Sequence, residues 1–189
     1  MAFVSAGFAN QAMIDETQHR GDIQSLRGIA VLLVLLHHAK APPFQGGYLG
    51  VDIFFVVSGF LITNLVARAV LSGTFSFADF CWRRARRLLP AAYVTIATCI
   101  MLSPFLLTDL EIGDFTKQVF GSVTFTANIV LWLQTGYFER AAELKPLLHT
   151  WSLSIEEQYY LILPAALVFA PRKLWLPAAA GLTVLSLLI

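Results

Sequence analysis

The segment Val51–Leu71, VDIFFVVSGFLITNLVARAVL, has one acid at its head and one arginine near its tail. Between them it is apolar apart from Ser58, Gly59, Thr63 and Asn64. A helix of about 20 such residues crosses the ~30 Å hydrocarbon core of a bilayer. In lipid the backbone must satisfy its own hydrogen bonds, and a helix does so within one segment. The rest of the chain agrees. Of its 189 residues 57% are hydrophobic and 13% charged, about half the charged share of a soluble domain, and the mean hydropathy is +0.69. So little charge cannot coat a soluble surface of this size, and lipid must be the solvent for much of it. A formal net charge of +1 offers no bulk attraction to nucleic acid.

The apolar runs predict an all-α, polytopic transmembrane helical bundle with about six spans. The first covers Ile23–Ala39 and is ended by Pro42 and Pro43; the second covers Tyr48–Leu71. Ser72–Leu89 mixes phenylalanines with WRRARR, a pattern suited to a helix lying on the membrane surface. Pro90 is expected to open a third span that reaches Leu107. Thr108–Phe115, with Asp109, Glu111 and Asp114, reads as a loop, and Thr116–Leu133 as a fourth span. Gln134–Pro146 is polar, with Glu139, Arg140, Glu143 and Lys145. The fifth span is Leu148–Ala170, Pro171–Lys173 is a link, and the sixth starts at Leu174. That apolar run reaches Ile189, which suggests part of a larger domain. Residues 1–21 read as a cytosolic tail without signal-peptide character, and 22–189 as the N-terminal portion of a transmembrane domain. Cys81 and Cys99 form no disulfide framework or metal spacing.

Lys/Arg bias sets the orientation. Arg68, Arg83, Arg84, Arg86 and Arg87 lie between spans two and three, so that connection and the N-terminus are expected in the cytosol. Strict alternation then puts Arg172 and Lys173 outside, against the same rule. The conflict would vanish if span four or five failed to cross.

Ionisable residues inside spans cost roughly 2.5–3.5 kcal/mol each on insertion scales and mark function by default. Arg27 and His38 are eleven positions apart, which returns to within about 20° of the same helix face roughly 16 Å further on. His37 points about 100° away and reads as a residue of the outer interface rather than of the site. In GGYLGVD, Gly46 and Gly50 form a small-xxx-small pair for helix packing, and Asp52 either caps the helix or serves the site. Arg83, Arg84, Arg86 and Arg87 make two overlapping R-x-x-R pairs that bind either anionic ligand phosphates or lipid headgroups. HTWSLSIEEQYYLILP sets His149, Ser152, Ser154, Glu156, Glu157 and Gln158 at the head of a span. A carboxylate beside an imidazole suits proton transfer; the alternative is a polar knot that joins helices. No G-x-S-x-G elbow, phosphate loop or H-E-x-x-H occurs.

Four blocks occur in order: DIQSLRGIAVLLVLLHHA (Asp22–Ala39), GGYLGVDIFFVVSGFLIT (Gly46–Thr63), FCWRRARRLLPA (Phe80–Ala91) and HTWSLSIEEQYYLILP (His149–Pro164). Together they resemble the membrane acyltransferase-3 family. The resemblance implies a bundle of about ten spans. It implies transfer of an acyl group, typically acetyl, from cytosolic acyl-CoA to a hydroxyl of an extracytoplasmic glycan such as lipopolysaccharide O-antigen, exopolysaccharide or peptidoglycan. It implies a multi-pass protein of the inner or plasma membrane that acts in the cell envelope, with lipid and the rest of its own domain as partners, no resident cofactor and no metal. The family's arginine–ten residues–histidine pattern falls on Arg27 and His38. Its R-x-x-R falls on Arg84 and Arg87, with Arg83 and Arg86 at the same spacing, and its glutamate falls on Glu156, with Glu157 beside it.

Those assignments suggest roles. Arg84 and Arg87, helped by Arg83 and Arg86, hold donor phosphates. Arg27 assists a phosphate or polarises the thioester. His38 is general base or acyl carrier. Glu156 orients the imidazole, with His149, Ser152, Glu157 and Asp52 in support. Two rivals remain from other classes. A proton-coupled transporter or flippase would use the same buried charges, and an inactive scaffold would tolerate their loss.

Overall fold

The computed structural model describes residues 21–134 and 145–188. The N-terminal tail and the stretch with Tyr137, Phe138, Glu139, Arg140 and Glu143, whose aromatics could have met sugar rings, lie outside the described residues. Among the described residues the chain is all-helical: α1 (Gly21–His38), a 3-10 turn (Pro42–Phe44), α2 (Leu49–Leu71), α3 (Phe77–Leu106), α4 (Asp109–Val123), α5 (Ala127–Leu133), α6 (Thr150–Phe169) and α7 (Arg172–Leu188). Of these, α2 and α3 are long and apolar enough to cross a membrane by length and composition. The chain divides into two compact units, 1–61 and 62–189.

In the first unit α1 and the start of α2 pack through glycine. A Cβ on Gly47 would stand 2.8 Å from His37 Cβ and closer still to the Leu33 carbonyl oxygen. One on Gly50 would stand 2.9 Å from Val34 Cγ2, again with a carbonyl, that of Ala30, nearer. Glycine is therefore required at both positions. The expected pair was Gly46 with Gly50, but Gly46 has open space around it; the three-residue spacing of Gly47 and Gly50 is the one that faces α1.

In the second unit three expectations fail, each for a local reason. Ser72–Leu89 and Pro90–Leu107 are not a surface helix followed by a span. They merge into α3, which is 30 residues long with Pro90 inside it, about 45 Å at 1.5 Å per residue. Ser76 caps its start by accepting the Asp79 N–H at 3.3 Å. Pro90 removes one helical hydrogen bond, and packing holds the helix on both sides of it, through Phe80 before and Ile96 after. Thr108–Phe115 is not a loop, because Glu111 accepts from the Thr108 N–H and hydroxyl, both at 2.7 Å, and starts α4 there. Finally, Thr116–Leu133 is not one span. The helix breaks at Thr124–Thr126, leaving 15 residues in α4 and seven in α5, each too short for a bilayer core of ~30 Å.

The break is a well-formed helix end. Thr126 N–H reaches Gly121 O at 2.7 Å, Phe125 N–H reaches Ser122 O at 3.4 Å, and Phe125 is left-handed with φ +55°. Glycine usually takes that position. α5 then folds back along α4. A Cβ on Gly121 would stand 2.8 Å from Val130 Cγ2, and Gln134 reaches Gln118 Nε2 and Asp114 O, both at 3.1 Å.

Helix α6 runs antiparallel to α3. At one end Leu147, just before α6, is buried with Ile96 and Phe115 against Cys99 and Leu107. At the other, Tyr160 and Leu167 are buried with Val66 and Phe80, with Phe75 and Trp175 packed alongside. Outside these clusters α3 exposes Met101 (74%) and Phe105 (83%), surface that suits lipid rather than water.

Candidate active site

Two polar faces of α6 are built in different ways. On one, Arg84 of α3 meets both glutamates. Its Nε donates to Glu157 Oε1 at 2.7 Å, and its Nη2 lies 2.5 Å from that oxygen and 3.5 Å from Glu156 Oε1. The Tyr160 hydroxyl donates to the same Glu156 oxygen. The guanidinium carbon sits 3.4 Å from the centre of the Tyr160 ring, within the ~6 Å reach of a cation–π contact. The side chains are largely enclosed: 23% of Arg84, 13% of Glu156 and 14% of Glu157 are exposed. One cation thus serves two carboxylates. A cavity of about 370 Å³ opens beside it, with Arg84, Glu157 and Gln158 at its polar edge and Leu88, Leu89, Tyr93 and Phe125 among its walls.

The other face is neutral and returns every fourth residue. Thr150 shares a 2.8 Å hydrogen bond with Ser122 of α4. Ser154 accepts the Ala127 N–H of α5 at 3.1 Å and donates to Thr150 O at 3.0 Å. Gln158 Nε2 donates to Phe125 O at 2.8 Å and Asn128 Oδ1 at 2.9 Å, and Asn128 returns a bond to Gln158 Oε1 at 3.3 Å. Two of these bonds, to the Ala127 N–H and the Phe125 carbonyl, fall on backbone groups that the break in α4–α5 would otherwise leave unpaired.

The remaining site residues are dispersed. In the first unit His38 Nδ1 lies 2.8 Å from Val34 O, and the residue is exposed. A carbonyl only accepts, so Nδ1 carries the hydrogen and a neutral ring leaves Nε2 as a free acceptor. Arg27 is half-buried with its guanidinium 5.0 Å from the Phe54 ring centre. His37 packs edge-on against His38 and Tyr48, its Nδ1 buried with no hydrogen-bond partner among the described residues. Asp52 stands exposed in the first turn of α2. In the second unit His149 is exposed before the first turn of α6, and Ser152 donates to its carbonyl at 3.3 Å. Arg83, Arg86 and Arg87 are exposed, whereas Arg84 alone turns inward. Among the described residues no cluster of His, Cys, Asp and Glu could hold a metal ion.

The sequence reading missed Tyr160, Thr150 and Asn128. Tyr160 was findable, since it lies four residues after Glu156 on the same helix face. So was Thr150, because Thr150, Ser154 and Gln158 repeat at intervals of four. Asn128 carried no signal, because nothing in TFTAN announces a turn.

Comparison with known proteins decides the family. A family model described as an acyltransferase domain matches residues 20–189. The chain belongs to the acyltransferase-3 family. It is 36% identical over 171 residues to "Peptidoglycan O-acetyltransferase OatA" of Listeria monocytogenes, covering 87% of this chain and 27% of that protein. It is 38% identical over 162 residues to "Putative peptidoglycan O-acetyltransferase YrhL" of Bacillus subtilis, covering 82% and 25%. An uncharacterized protein of Haemophilus influenzae is 37% identical over 122 residues, covering 65% and 50%. The chain thus spans a quarter to a half of the curated relatives it matches. No solved structure matches. This acyltransferase-3 chain carries its candidate site residues on α1, α2, α3 and α6 and on His149 just before α6.

Proposed function

We propose that the chain is the N-terminal portion of a membrane O-acetyltransferase that moves acetyl from cytosolic acetyl-CoA to a hydroxyl of cell-envelope glycan. Two relatives' names specify peptidoglycan, which makes it the first acceptor to test. The observation that carries the reading is His38. Its Nδ1 is engaged by Val34 O, so Nε2 is free to take a proton from an attacking hydroxyl. Arg27 on the same helix supplies a fixed positive charge for a phosphate or a thioester oxygen. Arg87, with Arg83 and Arg86, is exposed and suits the 3′- and pyrophosphate groups of coenzyme A. Arg84, paired with Glu157 and close to Glu156, anchors those carboxylates, and Glu156 is the candidate orienting group. His149, Ser152 and Asp52 stay in supporting roles. The protein is multi-pass, with its N-terminus and the Arg83–Arg87 cluster on the cytosolic side of the plasma membrane.

The test uses membranes that carry the complete polypeptide, radiolabelled acetyl-CoA and purified peptidoglycan. Label should reach glycan with the wild type and not with His38→Ala at equal inserted amounts. Wild-type turnover by His38→Ala would remove the histidine from the reaction. The broken α4–α5 helix favours a second reading, a flippase for a polar substrate, because transporters build their sites at such breaks. It predicts substrate movement without acetyl-CoA consumption.

A further inference from the structure

The break in α4–α5 bears on how the chain crosses the membrane. Three contacts give the depth of its parts. Leu147 is buried beside Ile96, Cys99 and Leu107, towards the C-terminal end of α3. Gln134, at the end of α5, bonds to Asp114 O and Gln118 in α4, and Lys145 Nζ donates to Gln134 O at 3.1 Å. The chain after α5 is therefore back at the end where α4 began. The tip at Phe125, by contrast, shares a cavity with Arg84 and Glu157. From there α6 runs the other way, so that Phe169 borders the same groove as Gly73 and Phe75, and Trp175 packs on the cluster of Val66 and Phe80.

We propose that α4 and α5 form a re-entrant hairpin, which enters the membrane from the Thr108 side and returns to it, and that Gln158 positions its tip as a wall of the cavity at Arg84. Three physical points support the hairpin. Each half is too short to cross. Backbone at a break is tolerated within a bilayer only where protein satisfies it, and Ser154 and Gln158 do so here. The charge distribution also becomes regular. With α4–α5 turning back, Arg172 and Lys173 join the Arg83–Arg87 cluster on one side, and the positive-inside rule holds for both groups. Strict alternation had put them on opposite sides. Gln158 has a specific place in this arrangement. It holds the carbonyl of a left-handed phenylalanine, a conformation that costs roughly 1–3 kcal/mol and needs outside support.

The hairpin is independent of the proposed function; the effect of Gln158 on turnover rests on it. Single cysteines at Asp109, Pro146, Ser72 and Lys173, in a background with Cys81 and Cys99 replaced by alanine, are probed with a membrane-impermeant thiol reagent on oriented vesicles. Asp109→Cys and Pro146→Cys should react from one side, and Ser72→Cys and Lys173→Cys from the other. Pro146→Cys reacting with Ser72→Cys would show that α4–α5 crosses, and would overturn the hairpin. For Gln158 the variant is Gln158→Glu, which keeps the shape but loses both donated bonds. At equal inserted amount it should lower kcat on the order of 100-fold and leave the acetyl-CoA KM unchanged. Unchanged kcat, or a change in KM alone, would overturn the positioning role. If wild-type membranes transfer no acetyl group, the functional reading and the Gln158 role fall together, and the labelling pattern alone still decides the hairpin.

Discussion

The two polar faces of α6 solve the same problem by opposite means. Both place hydrogen-bonding groups in a helix otherwise surrounded by apolar surface. The face of Thr150, Ser154 and Gln158 is neutral and its bonds are closed on themselves and on the α4–α5 break. The face of Glu156 and Glu157 is ionic and unbalanced, two carboxylates to one guanidinium. A satisfied neutral network rigidifies a fold. An ion pair in low dielectric is poor evidence for stability, since its desolvation cost rivals its attraction. The neutral face thus holds the fold and, through Gln158, the cavity wall, whereas the ionic face adds little to stability and is the better candidate for chemistry.

The largest effect should come from Arg84→Leu. Both glutamates would lose the guanidinium they share, and breaking a largely enclosed pair costs about 3–5 kcal/mol. Heating in detergent should show an early loss of folded protein, with Arg84→Lys intermediate because one ammonium cannot reproduce the planar fork. A wild-type melting profile for Arg84→Leu would remove the ionic face from the account of the fold. Next comes Ser154→Val, which leaves the Ala127 N–H without its acceptor. An unpaired buried donor costs about 1–3 kcal/mol, so the melting temperature should drop, while acetyl transfer per folded molecule stays at the wild-type level. Lost turnover without lost stability would mean that the neutral face takes part in chemistry. The smallest effect belongs to Tyr160→Phe. It keeps the ring under Arg84 and loses the hydroxyl on Glu156, a change of about 0.6 kcal/mol by the usual worth of hydrogen bonds within membranes. Its turnover should fall further than its stability if Glu156 must be held in one orientation; equal falls would make Tyr160 a packing residue only.

Much of this was legible along the chain. α1, α2, α6 and α7 start and stop close to where apolar runs and flanking prolines put them. Arg27, His38, Arg84 and Glu156 stood out because lipid should exclude them. The breaks were less legible. Pro90 looked like a boundary, yet α3 runs through it, because one lost bond is a small part of a 30-residue helix. Phe125 looked like span interior, yet it ends α4, because the left-handed position lacks its customary glycine and is held instead by Gln158, 33 residues away.

What the sequence by itself determined is the solvent, the helical class, the family and the set of polar residues, since each follows from which side chains occur and how they are spaced. Only the tertiary structure decided which polar residues meet. It chose Arg84 over its three neighbours for Glu157, gave Tyr160 to Glu156, and broke the fourth apolar run into a hairpin. Those outcomes depend on which faces of α3, α5 and α6 come into contact. A backbone break in lipid survives only when a distant side chain pairs with it, and that partner is known only once the helices have packed.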